Sequence, residues 1–248
     1  LKQSATSSPA LFIDQLRNFR CAAVPASETR LYDSLLWNIR AFVLDEHKSA
    51  DQLPQYLTAL FDVIRDMPVR RTGAPFSLLV SAVLRKGAEW NRVGEFACWC
   101  GLDCLRDEDF QPFLTKDGKR LMALAEQLDC KIAKTLLDTN DQQRICTFIP
   151  QQETLCLQYP NYVYPPYYLA KMYLCLGNSD KALSLLLTFV RKKPNEFWVG
   201  ELLAESATDG EMQLAFLCKA LLCKTREGMN VNLLQNAATF FANAGLYD

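Results

Sequence analysis

The feature that most constrains this chain is a period of 34 residues in its C-terminal third. Ala170, Ala204 and Ala238 stand 34 and 34 residues apart, and Tyr173, Ala207 and Phe241 keep the same interval three positions on. Leu169 and Leu203 match too, with Ala237 as the third member, while Gly177 and Gly245 lie 68 apart, twice the period. A fixed period of this length marks supersecondary units stacked side by side. Stacking buries a continuous core and leaves a curved surface for extended contacts.

The rest of the chain reads as helix after helix. Ser8-Pro9 is an N-cap and N1 pair opening a short helix with Leu11, Phe12, Leu16 and Phe19 inward. Ser27 caps a longer helix carrying Leu31, Leu35, Ile39 and Phe42, whose spacing keeps one face apolar. Leu53, Leu57, Leu60 and Ile64 repeat the pattern until Met67-Pro68 ends it, and Pro75 opens a helix with Phe76, Leu79, Val80 and Val83. Trp90 to Leu105 reads as a weaker helix, because Gly94 and Gly101 each cost up to ~1 kcal/mol relative to Ala. Leu121, Leu124, Leu128, Ile132 and Leu136 form the longest clean stripe. Sustained period-2 alternation with turn signals is missing, which argues against a β-sheet core.

The first copy of the repeat resembles a tetratricopeptide repeat. Leu169-Ala170 and Tyr173 occupy that family's first-helix packing positions, Gly177 its turn, Ala182 its small second-helix position, Leu186 a large one, and Pro194 its terminating proline, with Asn195 capping the next helix. In the second copy Thr208 and Glu211 have capping-box spacing, and Ala215 stands as the small residue 33 positions after Ala182. The third, from about Met229, holds only its first helix. The resemblance spans Pro165 to Asp248. It implies a groove lined by exposed first-helix positions: Tyr167 and Lys171, then Glu201 and Glu205, then Gln235 and Thr239. The glutamates stand where the chaperone-tail-binding members need neutral or positive groups, so a carboxylate ligand does not fit. Phe148-Ile149-Pro150, Tyr159-Pro160-Asn161-Tyr162, Phe197-Trp198 and the run Lys219 to Lys224 also resemble uncharacterised bacterial helical-repeat regions at the front of multidomain proteins.

Composition narrows the function classes. Hydrophobic residues are 50% and charged residues 22%, with a net charge of −1, so the overall field gives no reason to expect nucleic acid or an anionic membrane. No apolar run reaches the ~18–20 residues needed to span a bilayer. With no export signal, the ten cysteines read as reduced thiols of a cytoplasmic protein, most of them packing within helices. The Cys98, Cys100 and Cys104 cluster lacks a second ligand pair for zinc, so packing is preferred over metal or redox roles. The single histidine, His47, reads as a helix-end residue. No Gly-rich phosphate loop is present. Arg191-Lys192-Lys193 is explained by a helix C-terminus, and no basic stripe with interleaved aromatics is evident.

The stretch Tyr159 to Tyr168 holds five tyrosines and three prolines. It reads either as a stiff connector packed on the first repeat helix or, through residues such as Tyr164 and with Trp198 beyond it, as a wall of a partner groove. The sequence therefore predicts an all-α protein: a disordered tail over 1–8, an N-terminal helical bundle over 9–140, and a tetratricopeptide-like α-solenoid over 141–248 that is cut short at its C-terminal end. The function it predicts is a non-catalytic protein- or peptide-binding scaffold within a larger bacterial protein, with no cofactor and no metal. A nucleic-acid-associated helical module serving an effector domain is the alternative.

Overall fold

A computed structural model describes residues 9–22, 24–45, 51–118, 120–226 and 228–245. Among them the chain is helical apart from one two-stranded hairpin, and it divides into two compact units, Leu1–Thr135 and Leu136–Asp248.

The first unit contains α1 (Pro9–Cys21), α2 (Thr29–Leu44), α3 (Leu53–Ile64), α4 (Ala74–Lys86) and α5 (Val93–Cys100), two short 3-10 turns, strands β1 (Phe113–Leu114) and β2 (Arg120–Leu121), and most of α6 (Leu124–Asp138). α2 packs on α4, α1 on α3, and α4 on α5. The apolar stripes make this core: Phe12 and Leu16, Leu35, Ile39 and Phe42, Leu57, Leu60 and Ile64 are all buried. Aromatic rings dominate it. Phe12 stacks on Phe42 at 4.7 Å, and Phe61 meets Trp90 at 5.8 Å, Phe96 at 5.5 Å and Trp99 at 5.6 Å, mostly edge to face. The one polar atom of buried Trp90 is satisfied, because its Nε1 donates to Thr58 Oγ1 at 2.9 Å.

Several local expectations are corrected here. Ser27 does not cap α2: Glu28 is the N-cap residue and no side chain closes that end. Leu31 is exposed, the inward face being Tyr32, Leu35, Leu36 and Ile39. The helix expected from Trp90 to Leu105 runs only Val93–Cys100, because Gly101 adopts φ 67°, a left-handed conformation that ends the helix. Leu121 lies in exposed β2 rather than in α6, whose buried stripe begins further on with Leu128, Ile132 and Leu136. Gly94 is a packing device rather than a defect, since a Cβ there would sit 2.2 Å from Thr135 Oγ1 of α6. The proposed Ser8 cap and His47 lie outside the described residues.

The second unit holds α7 (Gln142–Gln158), α8 (Pro165–Cys175), α9 (Ser179–Phe189), α10 (Phe197–Ser206), α11 (Gly210–Leu221) and α12 (Val231–Asn243). Each helix packs against the next one in sequence. Side chains close three N-termini: Asp141 accepts from Arg144 N, Asn178 from Lys181 N, and Asp209 from Met212 N. Asp209 thus replaces the expected Thr208 cap, and Glu196 rather than Asn195 precedes α10. Gly177 and Gly245, one residue past the C-caps of α8 and α12, have matching φ values of 75° and 72°.

The period is realised on one line and adjusted on another. Leu169, Leu203 and Ala237 are all buried, as are Ala170 and Ala204, but Ala238 is exposed. Ala170 and Ala204 sit on helices paired with a following one, α9 and α11 respectively, whereas among the described residues no helix follows α12. Ala215 is also exposed, so it is not the small packing residue of α11. The caps Asn178 and Asp209 are 31 residues apart (209 − 178), which aligns buried Leu217 with Leu186 and buried Ala220 with Phe189. Where α9 carries a phenylalanine, α11 carries an alanine facing Gly200. A Cβ on Gly200 would meet Ala220 Cβ at 2.8 Å, so the α10–α11 crossing is close.

Candidate functional site

The groove positions assigned from sequence fall in two neighbouring patches of the second unit. The first is aromatic. Tyr164 is the N-cap residue of α8, with Lys193 Nζ 5.9 Å from its ring centre. One turn later Tyr167 meets Trp198 edge-on at 4.7 Å and Phe189 at 5.8 Å, while Trp198 Nε1 donates to Glu196 Oε2 at 3.0 Å. Lys171, a further turn along α8, places its Nζ 5.7 Å from the Tyr167 ring centre. Burial pushes the Tyr167 hydroxyl up to about 12, aided by Tyr168, Glu201 and Glu205 nearby.

The second patch is a cleft of about 470 Å³ between α10, α11 and α12. Its apolar surface comes from Ala204, Leu217 and Phe240, which also pack in or against the small core of these three helices. Polar groups stand around it: Glu201 and Glu205 one turn apart on α10, Gln213 on α11, and Asn236 and Thr239 on α12. Asn236 Nδ2 donates to Glu201 Oε1 at 2.9 Å. Burial raises the Glu201 carboxyl, and the like charge of Glu205 adds to this, against the Asn236 hydrogen bond and the nearby Lys171.

The structure thus brings Glu201, Glu205 and Thr239 to one cleft and Tyr164, Tyr167, Lys171 and Trp198 to the adjoining aromatic patch. Gln235 is not among the cleft residues: it is exposed, and its carbonyl accepts from Thr239 Oγ1 at 2.9 Å. Its neighbour Asn236 takes the place expected for it. That substitution depends on the rotation of α12 about its own axis, which packing decides and periodicity does not. Gln213 was missed because the repeat resemblance points only to first helices. The Tyr159 to Tyr168 stretch serves packing as well: Tyr162 is buried and stacks on Tyr159 at 5.0 Å.

Other candidate chemistry stays dispersed. Cys100 and Cys104 are buried, and burial together with their mutual hydrogen bond pushes the Cys100 thiol up, away from the thiolate form. Cys21, Cys146 and Cys218 are exposed, which corrects the expectation that the cysteines mostly pack. Among the described residues no group of three or more histidine, cysteine or acidic side chains is placed to hold a metal, and no helix is long and apolar enough to cross a membrane. The cleft lining offers no Cys, His or Lys. A polar cluster that sequence reading did not find lies in the first unit. Asp109 accepts there from Ser77 Oγ, from Arg106 N at 2.9 Å and from Arg106 Nη2 at 2.9 Å, closing a 3-10 turn.

Residues 163–248 are similar to a family described as a domain of unknown function (DUF7017). The matched span begins just before α8 and takes in both the aromatic patch and the cleft. No curated protein matches the chain.

Proposed function

We propose that the second unit is a tetratricopeptide-like α-solenoid and that the protein is a non-catalytic scaffold that binds a protein or peptide across α8, α10 and α12. The observation that carries this is the cleft, whose apolar floor is ringed by carboxylate and amide groups. Amide side chains both donate to and accept from a peptide backbone, and the floor takes the stem of a side chain. The alternation of small and large residues on successive helices, Ala170, Ala204 and Gly200 against Phe189 and Leu217, supports stacking of like helix pairs.

The test is selection of a displayed library of short random peptides on the full chain, repeated on a Thr239→Trp variant. Thr239 is exposed at the cleft, so an indole there fills the space with little effect on folding. Peptides enriched on the parent and lost on the variant support the reading. Enriched peptides that bind both equally place recognition elsewhere. No enrichment, with tight and strongly salt-dependent binding of RNA, would instead favour a nucleic-acid module.

A further inference from the structure

We propose that the cleft between α10, α11 and α12 recognises a basic side chain, arginine above all, presented by an extended peptide. This rests on the peptide-binding reading given above and names the chemistry of its ligand. Glu201 and Glu205 stand four residues apart on one helix face, an arrangement of like charges that by itself disfavours the helix. Elsewhere along the same surface the cation positions are filled from within the chain: Lys193 lies over Tyr164 and Lys171 over Tyr167.

At the cleft no such cation is present among the lining residues. Glu201 gives Oε1 to Asn236, and Glu205 makes no hydrogen bond or ion pair among the described residues. A guanidinium entering the cleft would lie between two carboxylates one helical turn apart, with the Gln213 side-chain carbonyl as a further acceptor. Its aliphatic stem would rest on Leu217 and Phe240. The volume of about 470 Å³ falls within the range of pockets that enclose small ligands. An acidic peptide is disfavoured by the same two carboxylates, and an apolar one leaves the ring of polar groups unmatched.

The experiment uses the full chain and the library selection described above, read for residue identity at each enriched position. Enrichment of Arg or Lys at one position is expected. A labelled peptide carrying that residue should then bind Glu205→Gln about fivefold more weakly and lose its advantage over a glutamine-substituted peptide. Lys171→Met, which removes the cation nearest Glu201, should strengthen the same peptide. Peptides that depend on the open cleft yet show no basic preference, and bind Glu205→Gln unchanged, overturn the charge proposal and leave the groove reading standing. Failure to enrich any cleft-dependent peptide overturns both.

Discussion

The two units bury their interiors by opposite means. The first fills space with large rings of irregular spacing in sequence, Phe12, Phe42, Phe61, Phe76, Trp90 and Phe96, and ties them with a few polar clamps. The second brings backbones together over small residues, Ala170, Ala182, Gly200, Ala204 and Ala220, and reuses the arrangement from one helix pair to the next. An aromatic core gains much area per residue and tolerates little truncation. A small-residue crossing gains less area and tolerates little enlargement. The comparison teaches where each unit is fragile: to cavities in the first, to added volume in the second.

The largest expected effect tests the first half of that statement. Trp90→Ala should cost about 3–5 kcal/mol, the usual range for emptying a large buried aromatic site. It also leaves Thr58 without the indole donor that reaches it now. Denaturant unfolding with hydrogen exchange read in α3 and α5 would measure it. A loss below about 1 kcal/mol would show that the ring cluster is not the principal store of stability in this unit.

Next comes the clamp at Asp109. Burial alone would raise its carboxyl, but hydrogen bonds from Arg106 and Ser77, with the Arg106 charge, hold it below the usual carboxylate range. A carboxyl depressed on folding contributes stability that is present above its unfolded value and is lost as pH falls through the folded one. Asp109→Asn should therefore cost about 2–4 kcal/mol at neutral pH, at or below the range for deeply buried pairs because Arg106 is 28% exposed. Its deficit against the parent should shrink on acidification below the carboxylate range. A deficit independent of pH would mean that shape rather than charge holds the 3-10 turn.

Much of the helical content was legible because stripes such as Leu57, Leu60 and Ile64 repeat at helical spacing whatever lies around them. The limits of that reading are as specific. Gly94 looks like a weak point until Thr135 is placed against it, and no local pattern announces that contact. Ser27 has the chemistry of a cap, yet the chain enters α2 one residue later. The candidate site was legible on α8 and α10, where the repeat is regular, and slipped on α11 and α12. There the shortened turn before Asp209 changed the second-helix spacing from the 33 residues read off Ala182 and Ala215 to 31. Asn236 and Gln213 reach the cleft through helix rotation, which one chain's periodicity does not encode.

The repeat itself supplies a sharper probe of the small-residue unit. Ala204 and Ala238 occupy the same place in the sequence period, but Ala204 is 2% exposed within the core of α10–α12 while Ala238 faces outward. Ala204→Leu should cost roughly 1–3 kcal/mol through overpacking, and Ala238→Leu less than about 0.5 kcal/mol. Thermal melts of the two variants are sufficient to compare them. Equal losses would mean that a further element covers Ala238 and that the period is carried through all three helix pairs.

The smallest effect expected is also the one that joins stability to the cleft. Unlike Asp109, Glu201 has its carboxyl raised, first by burial and then by the charge of Glu205. A carboxyl raised on folding contributes stability that is fully present below its unfolded value and is lost as pH rises through the folded one, so at neutral pH the ionised group weighs against the fold. Glu201→Gln keeps an oxygen for Asn236 Nδ2 and removes the charge. The variant should be slightly more stable than the parent at neutral pH and should converge with it under acid conditions, the reverse of the Asp109→Asn sign. Glu201 is substantially solvated, so the difference will be small and is best read as a melting shift across a pH series at low salt. If the variant is instead less stable at neutral pH, Glu201 is held by contacts that favour its charge, and the acidic cleft is part of the structural framework. If it is more stable, the chain keeps two repelling carboxylates at the cleft against its own folding, which is the behaviour of a site retained for a cationic ligand.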